Sequence, residues 1–293
     1  YKHKKNVWLA WQPLMLLGAT TLGLSIIFMP YAFIHLPQFI SDITLQLRMN
    51  SNAYIFPYTL QYVGSMPYWY PLKQMVLWGL GPLYALLALF GVVHTLRHRS
   101  QNHQLILHLL ILGSALLYFL LIGRSAVKFM RYMLPLYPVF ALYAGYAITK
   151  LQVWGRVLFI ISLLWTLSFM TIYAVPNTRI SASDWILSTI PAGSTIAVEH
   201  WDDRLPIYDS EHYRIAELPL YDYPDNQKKW TNINQTLQHS DYIVIASNRL
   251  YRPLQKLGDC TQYHACYQRT ASYYRDLFAN RRGFTLIKTF RVS

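Results

Sequence analysis

The 293-residue chain predicts an α-helical integral-membrane bundle of about five spans, followed by a small soluble α/β domain. Three observations carry this reading. The chain is 54% hydrophobic and only 13% charged, where ordinary soluble domains carry about 25% charge. It is 16% aromatic, with 24 Tyr and 9 Trp, residues that favour the membrane–water interface. Its acids are also segregated: Asp42 is the only one in residues 1–175, so 12 of the 13 lie in residues 176–293.

That segregation decides how the formal charge of +13 is read. The second part of the chain is close to neutral. The positive excess belongs to the apolar half, where Lys and Arg flank membrane spans. No soluble basic patch remains for nucleic acid. The opening YKHKKNVW resembles the basic flank of a membrane helix, and no signal-peptide pattern is present. The chain is therefore expected to be the C-terminal part of a longer protein.

A membrane helix needs roughly 20 apolar residues. Five windows meet or approach this: 13–34, 75–93, 105–123, 133–148 and 157–175. Lys2, Lys4 and Lys5 precede the first, Arg97 and Arg99 separate the second and third, and Lys150 and Arg156 separate the fourth and fifth. The positive-inside rule assigns these clusters to the cytoplasm. It sends the loop 35–74 and the domain 176–293 to the extracytoplasmic face.

The loop 35–74 holds Tyr54, Tyr58, Tyr62, Tyr68, Trp69 and Tyr70 beside Pro57, Pro67 and Pro71. These rings read either as a belt at the headgroups or as a stacking surface for a sugar or lipid. Beyond residue 175, Ser181 or Ser183 is expected to cap a helix running to Ile190, which PAG then ends. STIAVEHW, DYIVIAS and FTLIKTF read as buried strands, and residues 226–239 and 269–281 as helices. Helices alternating with apolar strands suggest a small α/β layer. No Gly-rich phosphate loop follows a strand.

Four groups of residues are candidates for chemistry. Arg124, Lys128 and Arg131 fall on the outer side against the positive-inside rule, at spacing i, i+4, i+7, so a helix would place them on one face. They read as a site for an anionic ligand, with headgroup snorkelling as the alternative. In EHWDDR, after the first soluble strand, Glu199, His200, Asp202 and Asp203 could bind a divalent ion or orient a sugar hydroxyl; otherwise this is a solvated loop anchored by a buried Trp201. Cys260 and Cys266 are the only cysteines and suit a small disulfide loop on an external face, with two free thiols as the alternative. Asn234 begins an N-glycosylation sequon, of consequence only in a host that glycosylates that face.

RYMLPLYP at a re-entering span resembles the GT-C integral-membrane glycosyltransferases, in the branch related to dolichyl-phosphate-mannose–protein mannosyltransferases. So do FPYTLQYVGSMPYWYPLKQMVLWGLG, ASDWILSTIPAGSTIAVEHWDD, and SDYIVIASNRLY with YYRDLFANRRGF. The resemblance implies a polyprenyl-phosphate-linked sugar donor, membrane lipid as a neighbour, a protein or glycan acceptor, and an external active site. In that family the catalytic acid lies in the first external loop, upstream of this chain, and Asp42 does not match its motif. The substrate-binding residues expected here are Arg124, Lys128, Arg131, Tyr132, Tyr68, Tyr70, His200 and Asp202. No cofactor is assigned beyond a divalent metal at the EHWDDR cluster. A transporter subunit and a non-catalytic membrane scaffold with an external interaction domain are the competing classes.

Overall fold

The computed structural model describes residues 7–98, 102–201 and 203–291. The chain divides into two compact units, residues 1–51 and 52–293.

The first unit begins with α1 (Val7–Phe28), apolar on every side. Pro30 cannot donate a helix hydrogen bond, and Met29 departs from helical geometry before it. The short α2 (Pro30–Ile34) and α3 (Leu36–Ser51) follow. The aromatic loop expected from residue 35 is thus helical over much of its first half. Apolar residues recurring at 36, 39/40, 43 and 47 supply the helical period that outweighs the absence of a strong start signal.

The second unit opens with a 3-10 turn, Pro57–Tyr62. Its Thr59, fully buried, donates to the carbonyls of Ala53 and Phe56. Then come α4 (Trp69–Gln74), a π-helical stretch (Met75–Leu80) and α5 (Pro82–Arg97). The chain bends by 107° between Leu80 and Pro82. Gly81 makes the bend at φ +78, a conformation glycine adopts without steric cost, and Trp165 packs against it. Next are α6 (Asn102–Gly123), the irregular residues 124–129, a 3-10 segment (Met130–Leu136) and α7 (Tyr137–Met170).

α7 is two helical legs. A straight helix separates residues seven apart by about 10 Å. Yet a side-chain carbon on Gly155 would stand 2.7 Å from the Cα of Ile148. The reversal falls at Gln152, the one non-helical residue inside the element, at φ 50. Tyr137 lies against Gly79 and Trp165 against Gly81, so both legs end beside the start of α5. Leu87, Ala88, Ala144 and Ala147 form the core between α5 and the first leg, with Leu158 of the second packed on it. The windows 133–148 and 157–175 correspond to these legs. Trp11–Phe28, Gln104–Gly123 and the stretch Met130–Thr189 are long and apolar enough to cross a membrane, and a fourth span results if the bent pair counts as one.

The remaining residues form a small α/β layer. α8 (Thr178–Thr189) starts one turn earlier than Ser181, because Asn177 caps it by accepting from the Arg179 N–H at 2.9 Å. Ser183 is instead buried within the helix, donating to the Arg179 carbonyl and accepting from the Ile207 N–H. β1 (Thr195–Glu199) is the centre of a three-stranded parallel sheet, flanked by β2 (Arg214–Leu218) and β3 (Tyr242–Val244). β2 is a correction: FTLIKTF was expected as the third strand, but residues 284–290 belong to no strand. β2 carries the exposed charged residues Arg214 and Glu217, which interrupt its apolar pattern and mask it as a buried strand, yet it pairs with β1 along its whole length. The helices α9 (Gln227–Gln238), α10 (Tyr251–Lys256) and α11 (Gln268–Phe278) complete the layer.

A buried polar node holds this layer together. Asp225 accepts from Lys229 Nζ at 3.0 Å, the Trp230 indole N–H at 2.7 Å and the Thr270 hydroxyl at 2.9 Å. Its other oxygen accepts the Arg269 and Thr270 backbone N–H groups at the start of α11. Burial works to raise the Asp225 pKa, but the Thr270 and Trp230 hydrogen bonds and the Lys229 charge outweigh it and hold the carboxyl below its ordinary range.

Candidate functional site

The α/β layer meets the membrane-type helices along the 52–70 segment. Tyr54 packs on His264 with ring centroids 4.3 Å apart. Lys256 donates to the Val63 carbonyl. Gly64, at φ +69, leaves room for the Tyr263 hydroxyl and the Lys256 ammonium, which would lie 3.3 and 3.5 Å from any side-chain carbon there. Cys260 and Cys266 are joined by a disulfide, which closes the loop carrying Tyr263 and His264.

From this junction a run of neighbouring rings extends, with Tyr62 buried within it. Tyr70 meets Tyr62 edge-on at 5.9 Å, and Tyr62 meets Phe129 edge-on at 5.2 Å. Phe129 neighbours Tyr58 at 6.3 Å, and Tyr58 neighbours Trp201 at 6.2 Å. Trp201 then contacts Tyr221, whose ring stacks on His200 at 5.7 Å. The Arg131 guanidinium lies 4.1 Å above the Phe129 ring and 5.6 Å from Tyr132. Three chain segments, 54–70, 129–132 and 200–221, thus build one aromatic wall with an exposed guanidinium on it.

The sequence-derived cation cluster separates into three environments. Residues 124–129 are not helical, and 130–136 is a 3-10 turn, so the single-face arrangement of Arg124, Lys128 and Arg131 does not form. The breaks have local causes: α6 ends at Gly123, and Pro135 disfavours an α-helix through the next turn. Arg124 is exposed at the end of α6. Lys128 is buried, and its ammonium donates to Ser65 Oγ at 3.0 Å and the Ala126 carbonyl at 3.2 Å. Desolvation pushes its pKa below the ordinary lysine value. Its partners are therefore protein oxygens. Through Ser65, which donates to the Tyr62 carbonyl, Lys128 fastens the Tyr62 turn to the segment that carries Phe129 and Arg131.

The other sequence candidates are distributed as follows. Tyr70 and Tyr132 belong to the wall. Tyr68 lies apart, its ring against Phe119 and Gly123 and its N–H bonded to the Gly123 carbonyl. His200 Nδ1 stands 2.6 Å from Glu217 Oε2, and Arg204 bonds the other oxygen of Glu217 at 2.7 Å. Asp203 pairs with Arg179. Asp202 lies outside the described residues. Among the described residues no group of three or more His, Cys, Asp or Glu side chains is arranged to hold a metal ion.

Trp201 is a correction. The solvated-loop reading has it as a buried anchor, but it is 48% exposed, on a backbone at φ +80 that is uncommon for a non-glycine residue. Its strand neighbour Glu199 turns inward and accepts from the Tyr274 hydroxyl. Burial and the adjacent carboxylate hold Tyr274 well above the usual phenol range. Tyr62 was expected only as one ring of the loop 35–74, and Phe129 and Trp201 were not among the expected ligand-binding residues. The signal for these two was the alternation of rings with cations in KFMRY and EHWDDR.

A cavity of about 530 Å³ lies between α8, β3 and residues 286–291. Trp185, Ile186, Val244 and Phe290 line it, together with Arg179, Lys288 and Arg291, and among the described residues its lining contains no carboxylate or histidine. It is an open cleft that shares no residue with the aromatic wall. The chain matches no family model, no curated protein and no solved structure. What fold and site define is a helical protein with helices long and apolar enough for a membrane, a small parallel α/β layer, and a cation-bearing aromatic surface at their junction.

Proposed function

We propose that this chain is part of a multi-pass membrane glycosyltransferase. In this reading it moves a hexose, of the mannosyl type, from a polyprenyl-phosphate donor to an acceptor on the extracytoplasmic face. The observation that carries the proposal is Arg131, held over Phe129 and Tyr132 on a wall that continues to Trp201. Flat rings with polar edges suit the faces of a sugar. A guanidinium matches two phosphate oxygens with parallel donors. The family resemblance adds the donor class and a carboxylate base.

The chemistry follows from the leaving group. A carboxylate base takes the proton of the acceptor hydroxyl, whose oxygen forms a bond to the anomeric carbon. The bond from that carbon to the phosphate oxygen breaks, and the lipid phosphate departs with the electron pair, with inversion at carbon. Arg131 stabilises that developing charge. Lys128 holds the platform and does not itself meet the phosphate.

The test is turnover of a polyprenyl-phosphate-linked hexose by the full-length protein at matched membrane levels. Arg131→Ala should slow it by about 30- to 1000-fold, the loss of one charge-assisted contact to the departing phosphate. Arg131→Lys should stay impaired if two oxygens are gripped. Near-normal turnover in both variants would refute the assignment. Orientation is checked separately: a reporter after Ser293 should be active outside the cytoplasm, and one at Ser100 inside it.

A further inference from the structure

α3 presents an apolar face that no part of its own unit covers. Placed on a helical wheel, Leu36, Phe39, Ile40, Ile43 and Leu47 fall within an arc of about 100°. All five are exposed. Gln38, Ser41, Asp42 and Arg48 lie on the opposite side, where Gln38 donates to Asp42 at 2.9 Å. Leu45 and Met49 are the exceptions on the polar side, and Met49 is the one residue the helix buries.

The preceding helix identifies the occupant. α1 is apolar around its full circumference, the pattern of a segment surrounded by hydrocarbon. α3 is apolar on one side only, the pattern of a segment at a boundary between hydrocarbon and water. Only the break at Met29–Pro30, the five residues of α2 and the kink at His35 separate them. The chain therefore delivers the stripe to the place where a membrane-crossing α1 would meet water. Tyr31 and Phe33, exposed in the connecting turn, are residue types suited to that boundary.

We propose that α3 is an interfacial helix, lying on the lipid surface with Leu36, Phe39, Ile40, Ile43 and Leu47 in the boundary between headgroups and acyl chains. The inference rests on α1 crossing the membrane and is independent of the transferase reading. It commits to lipid, and not to another part of the protein, as the partner of the stripe.

The test is nitroxide accessibility in the full chain, reconstituted in phosphatidylcholine–phosphatidylglycerol vesicles. Single cysteines replace Ile40, Ile43 and Leu47 on the stripe, or Gln38, Ser41 and Arg48 on the other face. The native cysteines are consumed by their disulfide and do not take the label. Because all six positions are exposed, labelling leaves no core void. Labels on the stripe should meet oxygen but not a water-soluble nickel chelate, at depths of about 5–10 Å. Labels on the polar face should meet the chelate freely. If both faces meet the chelate, the helix stands in water and the proposal fails. If the stripe is shielded from oxygen and chelate alike, protein covers it, and the proposal fails in favour of an intramolecular partner. A seventh label at Gly18 separates the premise from the inference: chelate access there means that α1 does not cross.

Discussion

Lys128 and Lys229 are both buried lysines, and they solve that problem in opposite ways. Lys229 has a carboxylate, Asp225 at 3.0 Å, plus the Leu220 carbonyl and the Thr270 hydroxyl. Lys128 is bonded to neutral oxygens, Ser65 Oγ and the Ala126 carbonyl. Desolvation lowers the pKa of each, but only Lys229 has an acid that offsets it. The contrast follows the charge segregation of the chain. The α/β layer has acids and uses one, Asp225, to tie α9 to the start of α11. The membrane-type half has almost none, so its cations bond to carbonyls and hydroxyls or, like Arg131, rest on rings. A fixed cation without a nearby carboxylate retains its attraction for an external anion, and this makes the ring platform the candidate site and the Asp225 node a structural one.

The largest expected effect breaks the acidic side of this comparison. Asp225→Ala strips five hydrogen bonds and leaves Lys229 buried without its carboxylate, so thermal unfolding should report a loss of about 3–5 kcal/mol. The same group predicts an acid response. Its folded pKa lies below the unfolded one, so its stabilisation is present above the ordinary carboxylate range and is lost as pH falls through the lowered value. Tryptophan fluorescence should show the α/β layer loosening below about pH 4, and Asp225→Asn should flatten that dependence.

Lys128→Met should cost less, about 1–2 kcal/mol, because it deletes two hydrogen bonds but strands no opposite charge. Ser65 keeps its bond to the Tyr62 carbonyl. A loss as large as that of Asp225→Ala would mean that an unrecognised anion pairs with Lys128, and the comparison would collapse. Arg131→Ala should be the smallest, within about 0.5 kcal/mol in thermal unfolding, since the guanidinium is exposed on the rings. A small stability change beside a large loss of turnover would sharpen the division between structural and ligand-directed cations.

Sequence alone was sufficient for the properties that depend on local composition and period. The apolar windows, the two-part charge distribution, β1 and β3, and the helices 227–238 and 268–278 all repeat a pattern within a few turns or one strand. It also placed Arg131, Tyr132, Tyr70 and His200 among the candidates, because rings and cations at helix ends stand out in an apolar, acid-poor stretch. Long-range pairing was not legible. β2 was missed because its membership depends on β1 lying beside it, and FTLIKTF was over-read because alternating apolar residues alone do not supply a strand partner. The helical face drawn through Arg124, Lys128 and Arg131 failed where Gly123 ends one helix and Pro135 constrains the next. Only the tertiary structure decided that Lys128 turns inward to Ser65, that Trp201 turns outward, and that the rings of three separate segments meet under Arg131. The physical reason is range: propensity and periodicity act over a few residues, whereas a ring wall or a buried ammonium depends on which distant segments fold against each other.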